Sequence, residues 1–471
     1  STALVDDQET LSYKQLLDRS LHLAHSFSEK YGVKSGQKIG FLCDNHASFV
    51  AAVFAASRLG AHVYLLNIDM SKNQFDHFAA RFGFDLLIYD ARWHDSIQHS
   101  NQITKGLLSE HDRLPSVRTL SKTPGETGKK LARASAGSIV LLTGGTTGVP
   151  KKAVHRPSLF QFLNPFLALI DRLHLSNCQT AFVATPLFHG YGFAVLCAFF
   201  GLGKKVVISR RFYAPTACRL IREHKVDVVT VVPLMIHKML VHGAGDLTSL
   251  SCIASGGAPL SPKLVEAVSK ELGAVLYNLY GTSEAGLNTI ATPQDLAHSP
   301  HTIGRKISGV RFAVRDGAKK SYAPGIVGPF CIQNSWSAGR SRSWVDTGDA
   351  GCRDANGYYF LKGRVDDMIV SAGENVYPLD VEQVLSSHPA IECAAVIGIK
   401  DELFGQRLAV FVQPAPRAAI TEKALFEWLR PRLARFQLPR EIVLVEEMPY
   451  TPLGKLDKKQ LKKRYTARGD G

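Results

Sequence analysis

The sequence predicts an α/β protein with a large N-terminal domain, built of parallel-rich sheets flanked by helices, and a small α+β domain at the C-terminus. Nearly continuous apolar runs of strand length alternate with segments of helical periodicity, which is the pattern of parallel sheets covered on both faces. The chain of 471 residues also exceeds what one hydrophobic core usually serves. These two observations together favour more than one domain.

The first part of the chain supplies most of the apolar runs. We predict a strand from Lys38 (KIGFLCD), a helix over 47–59 and a strand from Ala61 (AHVYLLN). Further strands are predicted to begin at Asp85, Ser138, Lys204 and Asp227. The segment 102–136 is polar and weakly periodic, and we interpret it as a connector.

A domain boundary is predicted at the basic run LKGR, which separates domains 1–361 and 362–471. The second unit has about the size of a common small domain. Its predicted elements are a helix over 379–387, strands from Ala394, Leu408 and Glu441, and a helix over 422–433.

Composition limits the classes of function. Hydrophobic residues make up 45% and charged residues 21%, as in a globular enzyme and unlike a disordered or fibrous chain. The formal net charge is +15, and much of it lies in the tail at Lys455, Lys458, Lys459, Lys462, Lys463, Arg464 and Arg468. Such a tail is either a solvated surface or an attractant for nucleotides, coenzyme A or an anionic membrane. Nucleic acid is not expected, because no recognised binding module accompanies the charge.

The cysteine pattern and the apolar segments indicate a compartment. Eight cysteines are scattered without a C-x-x-C pair, which favours free thiols over disulfides or zinc ligands. No basic-then-apolar leader opens the sequence at Ser1, and the longest apolar stretch, 193–202, is too short to span a bilayer. We therefore expect a cytoplasmic protein with at most peripheral membrane contact. The sequence does not indicate an oligomeric state.

The segment LLTGGTTGVPKKAVH, residues 141–155, has the composition of a polyphosphate-binding loop. Glycines let backbone N–H groups approach a ligand closely, threonine hydroxyls add donors, and lysines add positive charge. The G-x-x-x-x-G-K-[ST] spacing of a Walker A loop is absent. Taken alone, the segment could also be a Gly/Thr turn between two strands.

The segment does not stand alone, because other motifs follow it along the chain. They are TPLFHGYGF (185–193), SGGAPLS (255–261), YNLYGTSEAG (277–286), VDTGDAG (345–351), LKGRVDDMIVSAGENVYPLDVE (361–382) and MPYTPLGKLDKKQL (448–461). In this order and spacing, the motifs resemble those of the acyl-adenylate-forming superfamily, which comprises acyl-CoA synthetases, luciferases and peptide-synthetase adenylation domains. The resemblance covers essentially the whole chain.

The resemblance implies a nucleotide site for ATP. Its implied members are Thr143, Gly144, Gly145, Thr146, Thr147, Gly148, Lys151, Gly257, Ala258, Pro259, Tyr280, Gly281, Thr282, Asp349, Arg364 and Lys455. The residues of the first loop would hold the β- and γ-phosphates. Residues 257–259 and Tyr280 would enclose adenine, while Asp349 and Arg364 would hold the ribose. Each position has a structural alternative, such as a core tyrosine or a turn aspartate.

The resemblance also implies catalytic roles. Thr282 would bind the α-phosphate, and Glu284 would hold Mg²⁺, with Thr146 as a second ligand; magnesium keeps water and phosphate oxygens as its other ligands. Lys455 would contact both the carboxylate and the phosphate and would stabilise the transition state. Its alternative is to be one more member of the basic tail.

The acid and the thiol acceptor would bind in the other half of the site. By resemblance, His189 would lie at the mouth of the acyl pocket, where it would act as a catalytic residue, with Gly190, Tyr191 and Gly192 around it. Lys362 would be the hinge of a domain rotation, and Gly373 would line the channel for coenzyme A. His189 could instead be a structural histidine.

The resemblance therefore implies an acid–CoA ligase that uses ATP, Mg²⁺ and coenzyme A and forms AMP. Glycines and apolar residues favour a hydrophobic acid, with a medium or long aliphatic chain preferred to an aromatic acid. The alternatives are loading of the acid onto the phosphopantetheine of a carrier protein and an aryl-acid–CoA ligase. A degenerate homologue that only binds nucleotides is the alternative outside enzymes.

Overall fold

The structure is a computed structural model. It describes residues 1–103, 105–123, 131, 134–135, 137–143, 151–155, 159–315, 321–337, 343–401, 404–451 and 454–469, with the backbone alone at 142–143, 151–155, 159–162 and 468–469.

Strands of the described residues fall into an N-terminal series and a C-terminal series. The N-terminal series is β1 Thr2–Val5, β2 Thr10–Ser12, β3 Lys38–Leu42, β4 His62–Leu65, β5 Leu86–Tyr89, β6 Gly106–Leu108, β7 Ile139–Thr143, β8 Lys151–His155, β9 Thr180–Val183, β10 Lys205–Ile208, β11 Val228–Val231, β12 Cys252–Gly256, β13 Leu276–Thr282, β14 Gly286–Ala291, β15 Arg305–Lys306, β16 Arg311–Val314, β17 Gly328–Gln333, β18 Val345–Arg353 and β19 Tyr359–Arg364. The C-terminal series is β20 Ile369–Ser371, β21 Glu374–Val376, β22 Ile391–Asp401, β23 Gly405–Pro414 and β24 Glu441–Leu444.

The helices cover the faces of these sheets. They are α1 Tyr13–Glu29, α2 Ala47–Arg58, α3 Lys72–Phe82, α4 His94–Gln98, α5 Val117–Lys122, α6 Leu159–Arg172, α7 Gly190–Gly201, α8 Ala214–His224, α9 Pro233–Gly243, α10 Pro262–Leu272, α11 Pro293–His298, α12 Pro378–Ser386, α13 Glu422–Leu429 and α14 Lys458–Gly469. No helix among the described residues is long and apolar enough to cross a bilayer.

Two parallel-rich sheets dominate the N-terminal part of the described structure. One has the order β15-β14-β13-β12-β11-β9-β10-β1-β2, and the other has the order β6-β5-β3-β4-β7-β8. The pairs from β1 through β10, β9, β11 and β12 to β13 are all parallel. Their strands are buried on both faces, as β9, β11 and β12 illustrate. The predicted fold class is confirmed.

Smaller sheets complete the architecture. Strands β16-β17-β18-β19 form an antiparallel sheet that ends the N-terminal part. The C-terminal sheet has the order β21-β20-β23-β22, with β24 beside β23, and α12 and α13 pack on it through a separate apolar core. Lys362 lies within β19, between these two sheets. The boundary and hinge at Lys362 stay predictions.

Two local predictions were wrong. The supposed connector 102–136 contains β6, which pairs in parallel with β5, and α5, which begins at an N-cap serine, Ser116. Both elements are short, so their periodicity is weak, and tertiary packing supplies their stability. The predicted helix 422–433 ends at Leu429, because Pro431 cannot supply the backbone N–H that a continuing helix needs.

Candidate active site

Several of the predicted site residues line one cleft between the two parts of the chain. Strands β9, β12 and β13 run parallel in one sheet, so the loops that follow them leave at the same edge. Segments from the C-terminal domain form the opposite wall of the cleft, which has a volume of about 3430 Å³. The fold thereby brings together motifs that are far apart in the sequence.

Asp349 is the centre of the polar half of this cleft. It lies on β18, opposite Arg364 on β19 in the strand register. Its Oδ1 accepts a hydrogen bond from Arg364 Nη1 at 3.1 Å, and its Oδ2 accepts one from the Tyr280 hydroxyl at 2.7 Å. Burial raises the pKa of Asp349, while the Tyr280 hydroxyl and the Arg364 charge oppose this rise. Each carboxylate oxygen keeps a further lone pair for a ligand hydroxyl.

Arg364 is held by the same pair of strands. Its Nη1 also donates to the Thr347 carbonyl at 2.9 Å, and its Nε donates to Asp366 at 3.1 Å. Gly348 has φ +70°, and a Cβ there would lie 2.4 Å from Arg364 Nη2. The glycine of VDTGD is therefore required both for the turn and for the space that the guanidinium occupies.

Tyr280 is more buried than a tyrosine that serves only to stack on a ligand. Its side chain is only 8% exposed, and its ring stacks on Phe312 with centroids 6.1 Å apart. Phe330 meets it edge-on at 6.0 Å. The ring nevertheless lines the cleft beside Gly257, Ala258 and Pro259. The tyrosine thus combines a core position with the hydrogen bond to Asp349.

Thr282 is the last residue of β13, and Glu284 lies on the turn that follows. The Thr282 Oγ1 accepts a hydrogen bond from the Ala285 N–H at 3.1 Å, which leaves its own hydroxyl hydrogen for another partner. Glu284 is partly exposed and also lines the cleft. Gly281 has no room for a side chain, since a Cβ would lie 2.5 Å from the Gly286 carbonyl oxygen.

Lys455 reaches the cleft from the C-terminal domain. It follows a turn in which Gly454 has φ +71° and donates its N–H to the Thr451 carbonyl at 2.8 Å. The side chain is accessible to solvent but enclosed by the cleft walls, and this desolvation lowers the pKa of Lys455, while the charge of Asp349 raises it. The cation therefore lies close enough to act on the carboxylate across the domain boundary.

His189 marks the start of the apolar half. It is the residue before α7, and its Nε2 is buried without a hydrogen-bond partner among the described residues. Burial, together with the charge of Lys455, lowers the pKa of His189 to about 4. The ring is therefore neutral near pH 7, and its unpartnered nitrogen is available to a bound ligand.

The walls beyond His189 are apolar. Helix α7 presents small residues to the cleft, namely Gly190, Ala194, Cys197 and Gly201. A Cβ at Gly201 would lie 3.8 Å from Phe166 of α6, and one at Gly190 would lie 2.6 Å from Leu141 Cδ1. Tyr191 crosses the base of this region, with its hydroxyl on the Ala254 carbonyl at 2.7 Å.

Some predicted residues lie elsewhere or outside the described residues. Gly144, Gly145, Thr146, Thr147 and Gly148 lie outside them, and for Thr143 and Lys151 the structure describes only the backbone, in β7 and β8. Gly192 is buried at the start of α7 against the Thr185 hydroxyl. Gly373 has φ +83° in the turn between β20 and β21, away from the lining of the cleft. Their roles stay predictions.

Sequence reasoning missed Asn45. This buried residue follows β3, and its side-chain amide donates to the Thr185 carbonyl at 3.2 Å while accepting from the Leu187 N–H at 2.8 Å. Asn45 thereby holds the loop that carries His189 from the neighbouring sheet. The position of Asn45 directly after a predicted strand was the available signal.

Comparisons with known proteins identify the family. Residues 1–339 match the family model described as AMP-binding enzyme, and residues 380–455 match its C-terminal domain. The chain is 29% identical to a fatty acid–[acyl-carrier-protein] ligase, ScoC, of Streptomyces coeruleorubidus, covering 98% of this chain and 93% of that protein. It is 27% identical to a feruloyl-CoA synthase of Amycolatopsis sp., covering 99% and 96% of the two chains.

Solved structures share the fold over the same length. The ATP-bound MatB structure from Rhodopseudomonas palustris superposes with a TM-score of 0.89 at 22% identity, covering 99% of this chain and 96% of that one. The cleft, the ordered motifs and the two family matches lead to one assignment. The chain belongs to the AMP-binding enzymes of the acyl-adenylate-forming superfamily and is an acid-adenylating ligase.

Proposed function

We propose that this ligase activates a hydrophobic carboxylic acid, a medium- or long-chain fatty acid, and transfers the acyl group to coenzyme A. The observation that carries the proposal is the position of Lys455. It lies in the cleft where its charge acts on both Asp349 and His189, at the junction of the polar and apolar halves. A cation at that junction is suited to a reaction between an acid and a nucleotide phosphate.

In the first step, a carboxylate oxygen bonds to the α-phosphorus of ATP as the bond to the pyrophosphate oxygen breaks. Both reactants are anions, so charge must be neutralised where they meet. Lys455 supplies this charge, and the free hydroxyl hydrogen of Thr282 is a donor for the α-phosphate. The predicted loop over 143–151 would hold the leaving phosphates.

The nucleotide is oriented by the polar half. Asp349, already positioned by Tyr280 and Arg364, accepts hydrogen bonds from the ribose hydroxyls with its remaining lone pairs. Residues 257–259 form one side of the adenine site, and Tyr280 forms the other. Because these partners are in place before ATP binds, little ordering is needed on binding.

Magnesium fits the donor chemistry of this half. Glu284 is a partly exposed carboxylate on the cleft wall, and carboxylate oxygens are the ligands that Mg²⁺ accepts alongside phosphates and water. The bound ion supplies charge neutralisation for the phosphates. Glu284 is the described residue that would hold it, with Thr146 as the second predicted ligand.

The acid occupies the apolar half. The unpartnered Nε2 of the neutral His189 is suited to a hydrogen bond with the acid carbonyl or carboxylate. Gly190, Ala194 and Cys197 leave space along α7 for a narrow chain. The lining next to these residues is apolar, which supports an aliphatic substrate.

In the second step, the thiol of coenzyme A loses its proton and attacks the acyl carbon, and AMP leaves. Lys455 and the thiol approach the same centre, so the C-terminal domain would turn about Lys362 between the steps. In the present arrangement Lys362 Nζ pairs with Asp380 Oδ1 at 2.8 Å, and Gly373 is away from the cleft. The rotation would bring Gly373 to the thiol channel.

A carrier protein is the second candidate acceptor. The relative from Streptomyces coeruleorubidus is described as a fatty acid–[acyl-carrier-protein] ligase, which supports both an aliphatic acid and a protein-bound thiol. The feruloyl-CoA synthase supports the alternative of an aromatic acid with coenzyme A. The acceptor and the acid are therefore tested together.

The test is acid-dependent AMP release across a series of aliphatic and aromatic acids, with coenzyme A, with a phosphopantetheinylated carrier protein, and with neither. We expect acyl-CoA and AMP in equal amounts with an aliphatic acid. Thioester on the carrier protein alone would replace coenzyme A by the carrier. Absence of AMP release and of ATP–pyrophosphate exchange with every acid would contradict the proposal and leave a nucleotide-binding homologue.

A further inference from the structure

Lys263 connects the two domains at the edge of the cleft. It belongs to the first turn of α10 in the N-terminal domain, after the N-cap Ser261. Its Nζ donates to two backbone carbonyls of the C-terminal domain, those of His388 and Ile391, the second at 3.1 Å. The lysine therefore bridges α10 and the turn that joins α12 to β22.

The chemistry of this contact favours a cation. The turn follows the C-terminal end of α12, where the helix dipole places partial negative charge. The Lys263 ammonium is half-buried, and burial lowers its pKa. No ion pair among the described residues includes Lys263. Its charge is thus satisfied by carbonyls of the other domain, through charge-assisted hydrogen bonds.

The turn that Lys263 binds is mechanically connected to the Lys455 loop. Glu392, next to Ile391, lies 3.6 Å from His237 Nε2 of α9. The following residue, Cys393, accepts a hydrogen bond from the Tyr450 hydroxyl at 3.4 Å, and Tyr450 pairs with Leu456. The turn and the segment that carries Lys455 are therefore joined by contacts within the C-terminal domain.

The loop itself touches the N-terminal domain next to this contact. A Cβ on Gly454 would lie 2.8 Å from Val232 Cγ2 and 3.6 Å from the Leu234 side chain. Val232 and Leu234 flank the start of α9, which also carries His237. The docking face of the N-terminal domain is thus formed by α9 and α10, and Lys263 makes its charged contact.

We propose that Lys263 is a positioning residue that clamps the C-terminal domain in the arrangement where Lys455 enters the cleft. The inference rests on the proposed function, because it assigns Lys263 to the adenylate-forming step. If the C-terminal domain turns about Lys362 for thioester formation, the hydrogen bonds of Lys263 must break. Lys263 therefore favours the first step and contributes nothing to the second.

The experiment compares Lys263→Met, which keeps the apolar stem, with Lys263→Arg, which keeps the donors. Lys270→Met, on the exposed end of the same helix, is the matched control. Acid-dependent ATP–pyrophosphate exchange measures the first step, and thioester formation from supplied acyl-adenylate and coenzyme A measures the second. We expect exchange in Lys263→Met to fall about tenfold, the size of a lost charged hydrogen bond, while thioester formation is unchanged or faster. Lys263→Arg recovers most of the exchange, and Lys270→Met resembles the wild type.

A second readout does not depend on turnover. Burial is the main cause of the lowered pKa of His189, and the charge of Lys455 lowers it further, so loosening the clamp should raise that pKa. Hydrogen exchange at the His189 C2 position, followed by mass spectrometry, measures it in folded wild type, Lys263→Met and Lys455→Ala. If the wild-type protein shows no ATP–pyrophosphate exchange with any acid, the proposed function is overturned. The titration of His189 would still test whether Lys263 holds the C-terminal domain in place. An unchanged His189 pKa in Lys263→Met, or equal losses in both half-reactions, would overturn the inference.

Discussion

The two halves of the cleft are built on opposite plans. In the polar half, where the nucleotide is proposed to bind, each carboxylate oxygen of Asp349 accepts a hydrogen bond. Arg364 donates hydrogen bonds to three acceptors. In the apolar half, where the acid is proposed to bind, the Nε2 of His189 has no hydrogen-bond partner among the described residues. The neighbouring walls of α6 and α7 are apolar. Hydrogen bonds fix the side chains of the polar half, whereas apolar walls and small residues define the apolar half.

This difference indicates which half of the cleft selects the nucleotide and which selects the acid. Hydrogen bonds to a fixed carboxylate select a ligand with matching hydroxyls, so the nucleotide half suits one invariant substrate. An apolar wall distinguishes acids only by shape, and each methylene changes the binding free energy modestly. Substitutions should therefore separate into those that act on ATP, those that act on the acid, and those at Lys455, which acts on both.

The largest effect is expected for Lys455→Ala. Removing the cation that faces both halves should lower acyl-adenylate formation by roughly 10²–10³-fold or more, as for other losses of a transition-state donor. Thioester formation from supplied acyl-adenylate should be spared. ATP–pyrophosphate exchange and single-turnover thioester assays measure the two steps; near-normal exchange in this variant would contradict the role of Lys455.

Asp349→Asn should affect ATP alone. The amide N–H₂ group would face one of two hydrogen-bond donors, Tyr280 or Arg364, and the negative charge opposite Arg364 would be lost. We therefore expect KM for ATP to rise roughly a hundredfold. Tyr280→Phe, which removes a single hydrogen bond, is the graded comparison and should raise it about tenfold. Steady-state kinetics with ATP and acid varied separately test this. A matching rise in KM for the acid would contradict the prediction that Asp349 acts on ATP and not on the acid.

Cys197→Phe should affect the acid alone. Cys197 faces the cleft from α7, where its side chain is accessible to solvent but enclosed by apolar walls. This desolvation raises the pKa of its thiol to about 12. A phenyl ring there should raise KM for long acids about tenfold and spare short acids and ATP, because it fills space that only a long chain reaches. Kinetics across a chain-length series provide the measurement. Equal losses for short and long acids would indicate general misfolding of α7.

The last expected effect is on the stability of the fold at low pH and leaves catalysis at neutral pH unchanged. Because the folded pKa of His189 is lowered to about 4, the unfolded chain binds a proton more readily between pH 6.5 and 4. The stabilising contribution of the neutral ring is full above pH 6.5 and is lost as pH falls through this window, by about 3 kcal/mol. Urea unfolding of wild type and His189→Gln from pH 4 to 7 measures it; identical pH slopes would show that His189 titrates normally.

Much of the nucleotide half could be predicted from the sequence. Short glycine-containing motifs include Tyr280 near the end of β13, Asp349 within β18 and Arg364 at the end of β19. Side-chain type and glycine spacing in these motifs limit what the backbone can do. The acyl half could be predicted only in outline, because an apolar helix such as α7 has no spacing that tells a lining residue from a core residue. Cys197 and Ala194 became lining residues only when α6 packed opposite them.

Local periodicity and side-chain chemistry are properties of neighbouring residues, so the amino-acid sequence alone is enough to predict the fold class, the order of the motifs and the residue types proposed to bind ATP. The contacts of Asn45 with the His189 loop and of Lys263 with the turn before Glu392 are visible only in the folded structure. These contacts join elements distant in sequence, and both lysine bonds use backbone carbonyls, which every residue has. No side-chain pattern can therefore specify such partners before the chain has folded.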